Sequence, residues 1–343
     1  MNTPTKKITL SDIAKAAGVS TCTASKILRD QAGYTEATRT QVKSVAARLG
    51  YQLNEVASLL AKHRTVGKSE ANKLVVGFLD ASQHSFAILQ RVCEGMGLEA
   101  RYYNPSDFSS PELAARVLYH QGVHGIIISP HRFPWSEKWQ QEFDWSRFSV
   151  VKISRGLPAL PVHLVRHSPF DYMRKTLDVV IDRGYKKIAV LMERSASQQD
   201  NEARLGAVLV YQHNKLPAGV TLRWLVTEAD NPNVLDERTI HWIKNDPTDA
   251  LITYHWACIY PLLQAGVFIP NRLAMAAVLA DSEKIPDTPL VSGCDTNRSE
   301  LYQRALRILQ ELILHGVKGL PLNPTESVIE PAWVEGETLP WRK

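Results

Sequence analysis

Apolar residues in the first 50 positions recur at helical spacing in three short blocks separated by turn signals. Leu10, Ile13, Ala14 and Ala17 make one face of a first helix. Gly18 can enter the left-handed region and end it. Ser20 is placed to cap a second helix whose inward positions are Ala24, Ile27 and Leu28. Thr35 opens a third helix with Val42, Val45, Ala46 and Leu49 on one face, closed by Gly50. A short helical run follows over 54–61, and residues 65–73 are polar, hold a glycine and lack periodicity, as a linker does. From residue 74 the pattern changes. Short apolar runs predict strands at 74–79, 99–103, 125–129, 150–154, 188–192, 221–226, 250–253 and 276–280. Amphipathic segments predict helices at 86–97, 111–120, 169–182, 202–214, 235–244 and near 257–265. Such alternation builds parallel sheets covered by helices on both faces.

The outward positions of the second helix are small or basic: Thr21, Cys22, Ser25, Lys26 and Arg29. A compact helix of that kind fits a DNA major groove. Read alone, the stretch also fits an ordinary helical hairpin packed on a larger core. Charge separates the two readings. Residues 1–64 carry ten Lys or Arg against four Asp or Glu, a net of +6, while the whole chain sums to +5. The remaining 279 residues hold 30 basic and 31 acidic groups and sum to −1. All of the net positive charge therefore sits on the N-terminal block, the footprint of a phosphate-binding module.

A set of fixed spacings sharpens this. Thr9-Leu10-Ser11-Asp12-Ile13-Ala14, Ala17-Gly18-Val19-Ser20, Thr23-Ala24-Ser25-Lys26-Ile27-Leu28, Gly50-Tyr51, and then Asn54, Ala57 and Leu60 follow one another over about fifty residues. The segment resembles the headpiece of the LacI/GalR family of transcription regulators. Weaker landmarks extend the resemblance over most of the chain: Gly125-Ile126-Ile127-Ile128, Arg183-Gly184-Tyr185-Lys186-Lys187-Ile188-Ala189, Asp249-Ala250-Leu251-Ile252, Gly266-Val267-Phe268-Ile269-Pro270, Glu330-Pro331 and Glu335-Gly336-Glu337-Thr338. The resemblance implies an α/β chain in four parts. These are a three-helix helix-turn-helix headpiece (1–52), a hinge helix (53–64), a linker (65–73), and a two-lobed, periplasmic-binding-protein-like core (74–343). In that core, parallel sheets flanked by helices sense an effector and dimerise.

The same resemblance assigns roles on the headpiece. Thr21 and Cys22 fall at base-reading positions, with Lys26 one turn later; Lys26 can reach guanine acceptors and Thr21 a thymine methyl. Ser20, Thr23, Ser25 and Arg39 suit phosphate contacts, which orient without reading sequence, and Arg29 adds charge at the helix end. Asn54 and Ala57 match hinge positions, and Leu60 matches a leucine that wedges into the minor groove. Glu55 and Ser58 stand where the family often has basic residues, with Lys62 and Arg64 just beyond. So short a hinge is marginal as a helix in water and should order only when paired on DNA.

In the core, ligands of parallel sheets bind beyond the carboxyl ends of the strands, here in the cleft between lobes. The strand ends to inspect are Asp80, Asn104-Pro105, Ser129-Pro130-His131-Arg132, Ser154-Arg155, Arg166-His167-Ser168, Glu193-Arg194, His255-Trp256 and Asp281-Ser282. The family's effector pocket implies an Arg from one lobe and an Asp, at Arg204 and Asp281; Asp80, Ser129, His255 and Trp256 complete the candidate effector set. Arg204 reads equally as a surface ion pair, and Trp256 as a core aromatic rather than a stacking platform. Departures are large: Ser168-Pro169-Phe170-Asp171-Tyr172 and Tyr254-His255-Trp256 replace the family's Asp-Asn-x-x-Gly and Ala-Asn-Asp, so a simple sugar effector does not carry over. The aromatic run Phe133, Trp135, Trp139, Phe143, Trp145 and Phe148 reads as a helix packed on the first lobe, with a pocket lid as the alternative.

Composition bounds the rest. No apolar run reaches the roughly eighteen residues of a membrane span, and Met1-Asn2-Thr3-Pro4-Thr5-Lys6-Lys7 has no apolar signal region behind it. Cys22, Cys93, Cys258 and Cys294 are scattered singly, as reduced thiols of a cytosolic protein, and no metal-ligand spacing appears. The expectation is a cytoplasmic, nucleoid-associated repressor without cofactor or metal. It binds a palindromic double-stranded operator as a homodimer, modulated by a small molecule of unnamed class. A tetramer is not expected, since Leu339-Pro340-Trp341-Arg342-Lys343 is no leucine-heptad tail. The alternative is a cytosolic solute-binding receptor acting through protein contacts. An enzyme is disfavoured because no nucleophile-base-acid set or Gly-rich phosphate loop is found.

Overall fold

Three helices build the first of two units into which the chain divides, Met1–Asn72 and Lys73–Lys343. A computed structural model describes residues 10–28, 33–49, 73–80, 82–129, 135–155, 160–194, 200–228, 234–245, 247–281 and 289–342. In the first unit these are α1 (Leu10–Ala16), α2 (Thr21–Leu28) and α3 (Glu36–Arg48). Gly18 turns the chain after α1 at φ 67°, where a side chain is strained. Ser20 Oγ then accepts the Thr23 N–H at 3.0 Å, and Thr35 Oγ1 accepts the Thr38 N–H at 3.3 Å, capping α2 and α3. Each cap stabilises its helix by about 1 kcal/mol. Ile13, Ala24, Ile27 and Val42 meet in a fully buried centre, with Ala14, Ala17, Val45 and Ala46 around it. Gln41 Nε2 donates to the Ala17 carbonyl at 3.2 Å and ties α3 to the turn. The hinge reading (53–64), most of the linker and Arg29 lie outside the described residues.

The second unit holds two six-stranded sheets. In the first lobe the order is β11-β5-β4-β3-β1-β2, parallel throughout. Its strands are β1 (Leu74–Leu79), β2 (Leu98–Tyr103), β3 (Val123–Ile128), β4 (Ser149–Ile153), β5 (His163–His167) and β11 (Glu326–Ile329). β1 is a continuous apolar run buried along its whole length, as a strand covered on both faces should be, and β4 is buried throughout too, Ser149 and Lys152 included. In the second lobe the order is β12-β10-β9-β8-β6-β7, parallel except for β12. These are β6 (Lys187–Glu193), β7 (Thr221–Thr227), β8 (Ala250–His255), β9 (Ala274–Ala280), β10 (Ser292–Asp295) and β12 (Trp333–Val334).

Helices α4 (Gln83–Gly95), α5 (Pro111–His120) and α6 (Glu137–Glu142) belong to the first lobe. The second carries α7 (Pro169–Asp182), α8 (Ala203–Asn214), α9 (Glu237–Asn245) and α10 (Ile259–Gln264). The long α11 (Arg298–Leu314) returns to the first lobe, against α4 and strands β3 to β5. The chain thus passes between lobes three times: after β5, after β10 and after β11. That topology sets the ends of both sheets beside one cleft.

Five elements lie beyond the sequence prediction, for different reasons. β5 (His-Leu-Val-Arg-His) contains one fully buried residue, and β10, β11 and β12 are four residues or fewer. None presents an apolar run. α11, by contrast, buries Leu301, Tyr302, Ala305, Leu306, Leu309 and Ile313 at plain helical spacing. The helix expected near 257–265 is a 3-10 turn (Trp256–Cys258) followed by α10. The aromatic run is shorter in helix than expected, α6 plus a 3-10 turn at Trp145–Arg147. Trp135, Trp139, Phe143, Trp145 and Phe148 are buried in the first-lobe core. Phe133 lies outside the described residues.

Candidate functional site

On the headpiece, helix α2 turns its buried side (Ala24, Ile27) to the core and leaves Thr21, Cys22 and Lys26 exposed. Thr23 and Ser25 are half-buried at its margins. The Ser20 and Thr23 hydroxyls are already engaged with each other at 2.9 Å, so their primary service is the cap. The face left over is one basic head and two small side chains. With its side chains an α-helix is roughly 10–12 Å across, which a major groove about 12 Å wide admits. Arg39 sits half-buried on α3. Asn54, Ala57 and Leu60, like Arg29, lie outside the described residues. Cys22 is the exposed thiol, while Cys93, Cys258 and Cys294 are buried.

Between the lobes lies an open cleft whose empty space, including solvent at its mouth, is about 540 Å³. Ser154, Arg155, Arg166 and His167 reach it from the ends of β4 and β5. Ser154 adopts φ 64°, uncommon for a side-chain-bearing residue, as the chain leaves β4. Arg155 Nη2 donates to Glu326 Oε2 at 2.9 Å, and Arg166 Nε pairs with the other oxygen of the same carboxylate. His167 Nε2 donates to the Thr296 carbonyl at 2.5 Å; burial lowers its pKa to about 4, so the ring is neutral at pH 7.

The second lobe contributes Tyr172 from α7, Arg204 from α8, Tyr254 from β8, and Asp200. Arg204 is almost wholly buried, at 1% exposure. Its Nε lies 2.7 Å from Asp200 Oδ2, and its guanidinium stacks 3.7 Å from the Tyr254 ring centre. Its Nη1 has no hydrogen-bond partner among the described residues. Burial raises the Asp200 pKa, opposed by Arg204. The surface-pair reading of Arg204 is therefore corrected: the pair is buried.

Of the six predicted effector residues, Arg204 alone lines this cavity. The other five are held elsewhere. Asp80 is buried at φ 53° and accepts from Trp135 Nε1 at 2.9 Å. The Ser129 N–H donates to the Leu79 carbonyl at 3.1 Å. His255 Nδ1 accepts the Ala257 N–H at 3.2 Å and caps the 3-10 turn. Trp256 packs on the second-lobe core between His255 and Tyr260, which is the core-aromatic reading. Asp281 faces Arg298 Nη1 at 3.5 Å. None of the described residues of the aromatic run, Trp135, Trp139, Phe143, Trp145 and Phe148, lines the cavity.

Arg155, Arg166 and His167 lay at strand ends marked in the sequence, and Asp200 stands one turn before Arg204, a spacing that could have flagged it. Tyr172 and Tyr254 sat inside the two stretches where the family pattern breaks, and nothing in their spacing singled them out. Among the described residues no cluster of His, Cys, Asp or Glu could hold a metal, and no helix is long and apolar enough to cross a membrane.

Comparison with known proteins supplies the frame. The sequence profile described as "Bacterial regulatory proteins, lacI family" matches residues 9–54. The transcriptional regulator GalS of Salmonella typhimurium is 22% identical over 351 residues, 98% of each chain. The maltose regulon regulatory protein MalI of Escherichia coli is 26% identical over 272 residues, 76% of this chain and 77% of that one. PtxS of Pseudomonas putida is 28% identical over 196 residues, so that match spans 55% of each chain. Among solved structures, a lac repressor dimer bound to operator and the anti-inducer ONPF superposes with TM-score 0.54, at 16% identity, over 98% of this chain and all of that one. CcpA of Lactococcus lactis does so with TM-score 0.57, at 17% identity, over 78% and 99%. Residues 9–54 are thus a DNA-binding domain of the lacI family type, and the rest of the chain shares the two-lobed fold of LacI-type regulators.

Proposed function

We propose that this DNA-binding transcriptional regulator works as a repressor. It binds a palindromic operator as a homodimer, and a small molecule held in the inter-lobe cavity sets its affinity. The observation that carries the DNA part is the exposed face of α2, with Thr21, Cys22 and Lys26 on a helix held by the Ser20 cap and the Ile13–Ile27–Val42 core. The concentration of net positive charge in residues 1–64 supports it, because phosphate contacts supply most sequence-independent affinity. One headpiece covers too little surface for tight specific binding; two on a two-fold axis double the contact and mirror a palindrome. An effector then acts only through a difference in affinity between two lobe arrangements. A regulator of this kind works in the cytoplasm, where the nucleoid is.

Binding-site selection tests the reading. Full-length protein is incubated with a randomised duplex library at moderate salt, and the retained fraction is sequenced. Enrichment of a palindrome of roughly 14 to 20 base pairs supports it. No enrichment over input, with or without a metabolite extract, leaves the solute-receptor alternative in its place.

A further inference from the structure

We infer that the inter-lobe cavity takes a small organic anion, whose oxyanion head is held by Arg204 and the Arg155–Arg166 pair, rather than a neutral polyol. This rests on the reading of that cavity as the effector site and names the class of ligand.

The lining is rich in donors and poor in acceptors. Arg155, Arg166 and Arg204 bring three guanidinium groups, and Tyr172 and Tyr254 bring phenols. Among the described residues Asp200 is the lone carboxylate of the lining, and it is ion-paired with the Arg204 guanidinium, Oδ2 to Nε 2.7 Å, with no hydrogen bond formed between those two atoms. No Asn or Gln among the described residues lines the cavity. A sugar presents several hydroxyl hydrogens at once and needs side-chain acceptors to receive them; those acceptors are scarce. An oxyanion is the converse, acceptor-only, and matches guanidinium forks in pairs.

Guanidinium groups outnumber carboxylates in the described lining itself: Arg155, Arg166 and Arg204 stand against Asp200, and His167 is neutral. The unfilled position is specific. Arg204 Nη1 is buried, charged and without a hydrogen-bond partner among the described residues, a costly state for a charged donor. A carboxylate or phosphate oxygen beside it removes that cost. Pro169, Val278 and Leu279 complete the lining and suit an apolar or ring-shaped body. Arginines from both lobes meeting one anion also give a closing force, since the anion draws β4 and β5 of one lobe toward α8 of the other.

The test is calorimetric titration of the full-length protein at low salt with matched probes. Benzoate is set against benzamide and gluconate against glucose, each pair differing mainly in charge. Phenyl phosphate, beside benzoate, separates a phosphate site from a carboxylate site. At least one oxyanion should bind tenfold or more tighter than its neutral match, and Arg155→Gln should weaken it by a similar factor. Arg155 is partly solvent-exposed, so that variant is expected to fold; Arg204→Gln is the stronger perturbation and is read only if its melting curve matches wild type. Neutral probes binding as well as the anions overturns the inference. So does binding that ignores Arg155→Gln and Arg166→Gln, and so does no binding of any probe. The same preparation is assayed on selected duplex DNA: DNA binding without anion preference removes this inference alone, whereas loss of both removes the regulator reading.

Discussion

Replacing Ile27 with alanine should melt the headpiece while leaving the two-lobed core intact. Ile27 is fully buried and sits where α1, α2 and α3 meet. Truncation removes three carbon groups, a transfer loss of about 2.4 kcal/mol at ~0.8 kcal/mol per group. The cavity left behind raises the expected total to roughly 2–5 kcal/mol. A domain of about 50 residues has only roughly 3–7 kcal/mol of stability to lose, at 0.05–0.15 kcal/mol per residue. The variant therefore sits near or past its folding midpoint, and every DNA-contacting side chain on α2 loses its frame. Calorimetric unfolding of the full-length protein should lose or shift a small early transition and keep the main one. Operator affinity, read by fluorescence anisotropy, should fall more than tenfold. Wild-type affinity together with an unchanged early transition would refute the idea that this eight-residue core positions α2.

Further expectations follow from other parts of the molecule. Lys26→Ala should weaken specific binding by roughly 1–3 kcal/mol and non-specific binding much less; equal losses, with a shallower salt slope, would place Lys26 on phosphate instead. A maleimide should label Cys22 quickly and be blocked by bound operator. Cys93 and Cys294, whose pKa values burial pushes up to about 12 and about 11, should stay unlabelled until the core unfolds. Gly293→Ala would set a Cβ 2.1 Å from the Ala277 carbonyl oxygen between β9 and β10. Overpacking of that kind costs about 1–3 kcal/mol or more, so the main transition should drop by several degrees while headpiece behaviour is unchanged.

Burial lowers the His167 pKa from the usual 6.5 to about 4, so the folded state resists its protonation. Its contribution to stability is full above about pH 6.5 and is lost as pH falls toward 4, by up to roughly 3 kcal/mol. Asp200 and Glu193, with pKa values raised by burial, act in the opposite sense. Comparing denaturant midpoints at pH 7.5 and 5 in wild type and His167→Gln isolates the histidine, and the variant should lose less on acidification.

The headpiece was legible almost residue by residue because its signals are local. A glycine at a positive φ, two hydroxyl caps and a helical period all lie within a few positions of the contacts they make. The parallel core was legible in outline for the same reason: β1 is a continuous apolar run buried along its whole length. The cavity was not. Arg155 meets Glu326 across 171 positions, and His167 meets the Thr296 carbonyl across 129. Those pairings depend on the late return of the chain through α11 and β11, which no local period announces. Asp281 and Trp256 illustrate the reverse failure: chemically apt residues near strand ends whose side chains the fold spends on Arg298 and the second-lobe core.

The claim that the exposed face of α2 reads bases is tested most directly by running binding-site selection in parallel on wild type and Lys26→Gln. Both should enrich a palindrome, with preference altered at one symmetric pair of positions and preserved at the rest. An identical preference at every position, or no palindrome from the wild-type protein, would contradict it.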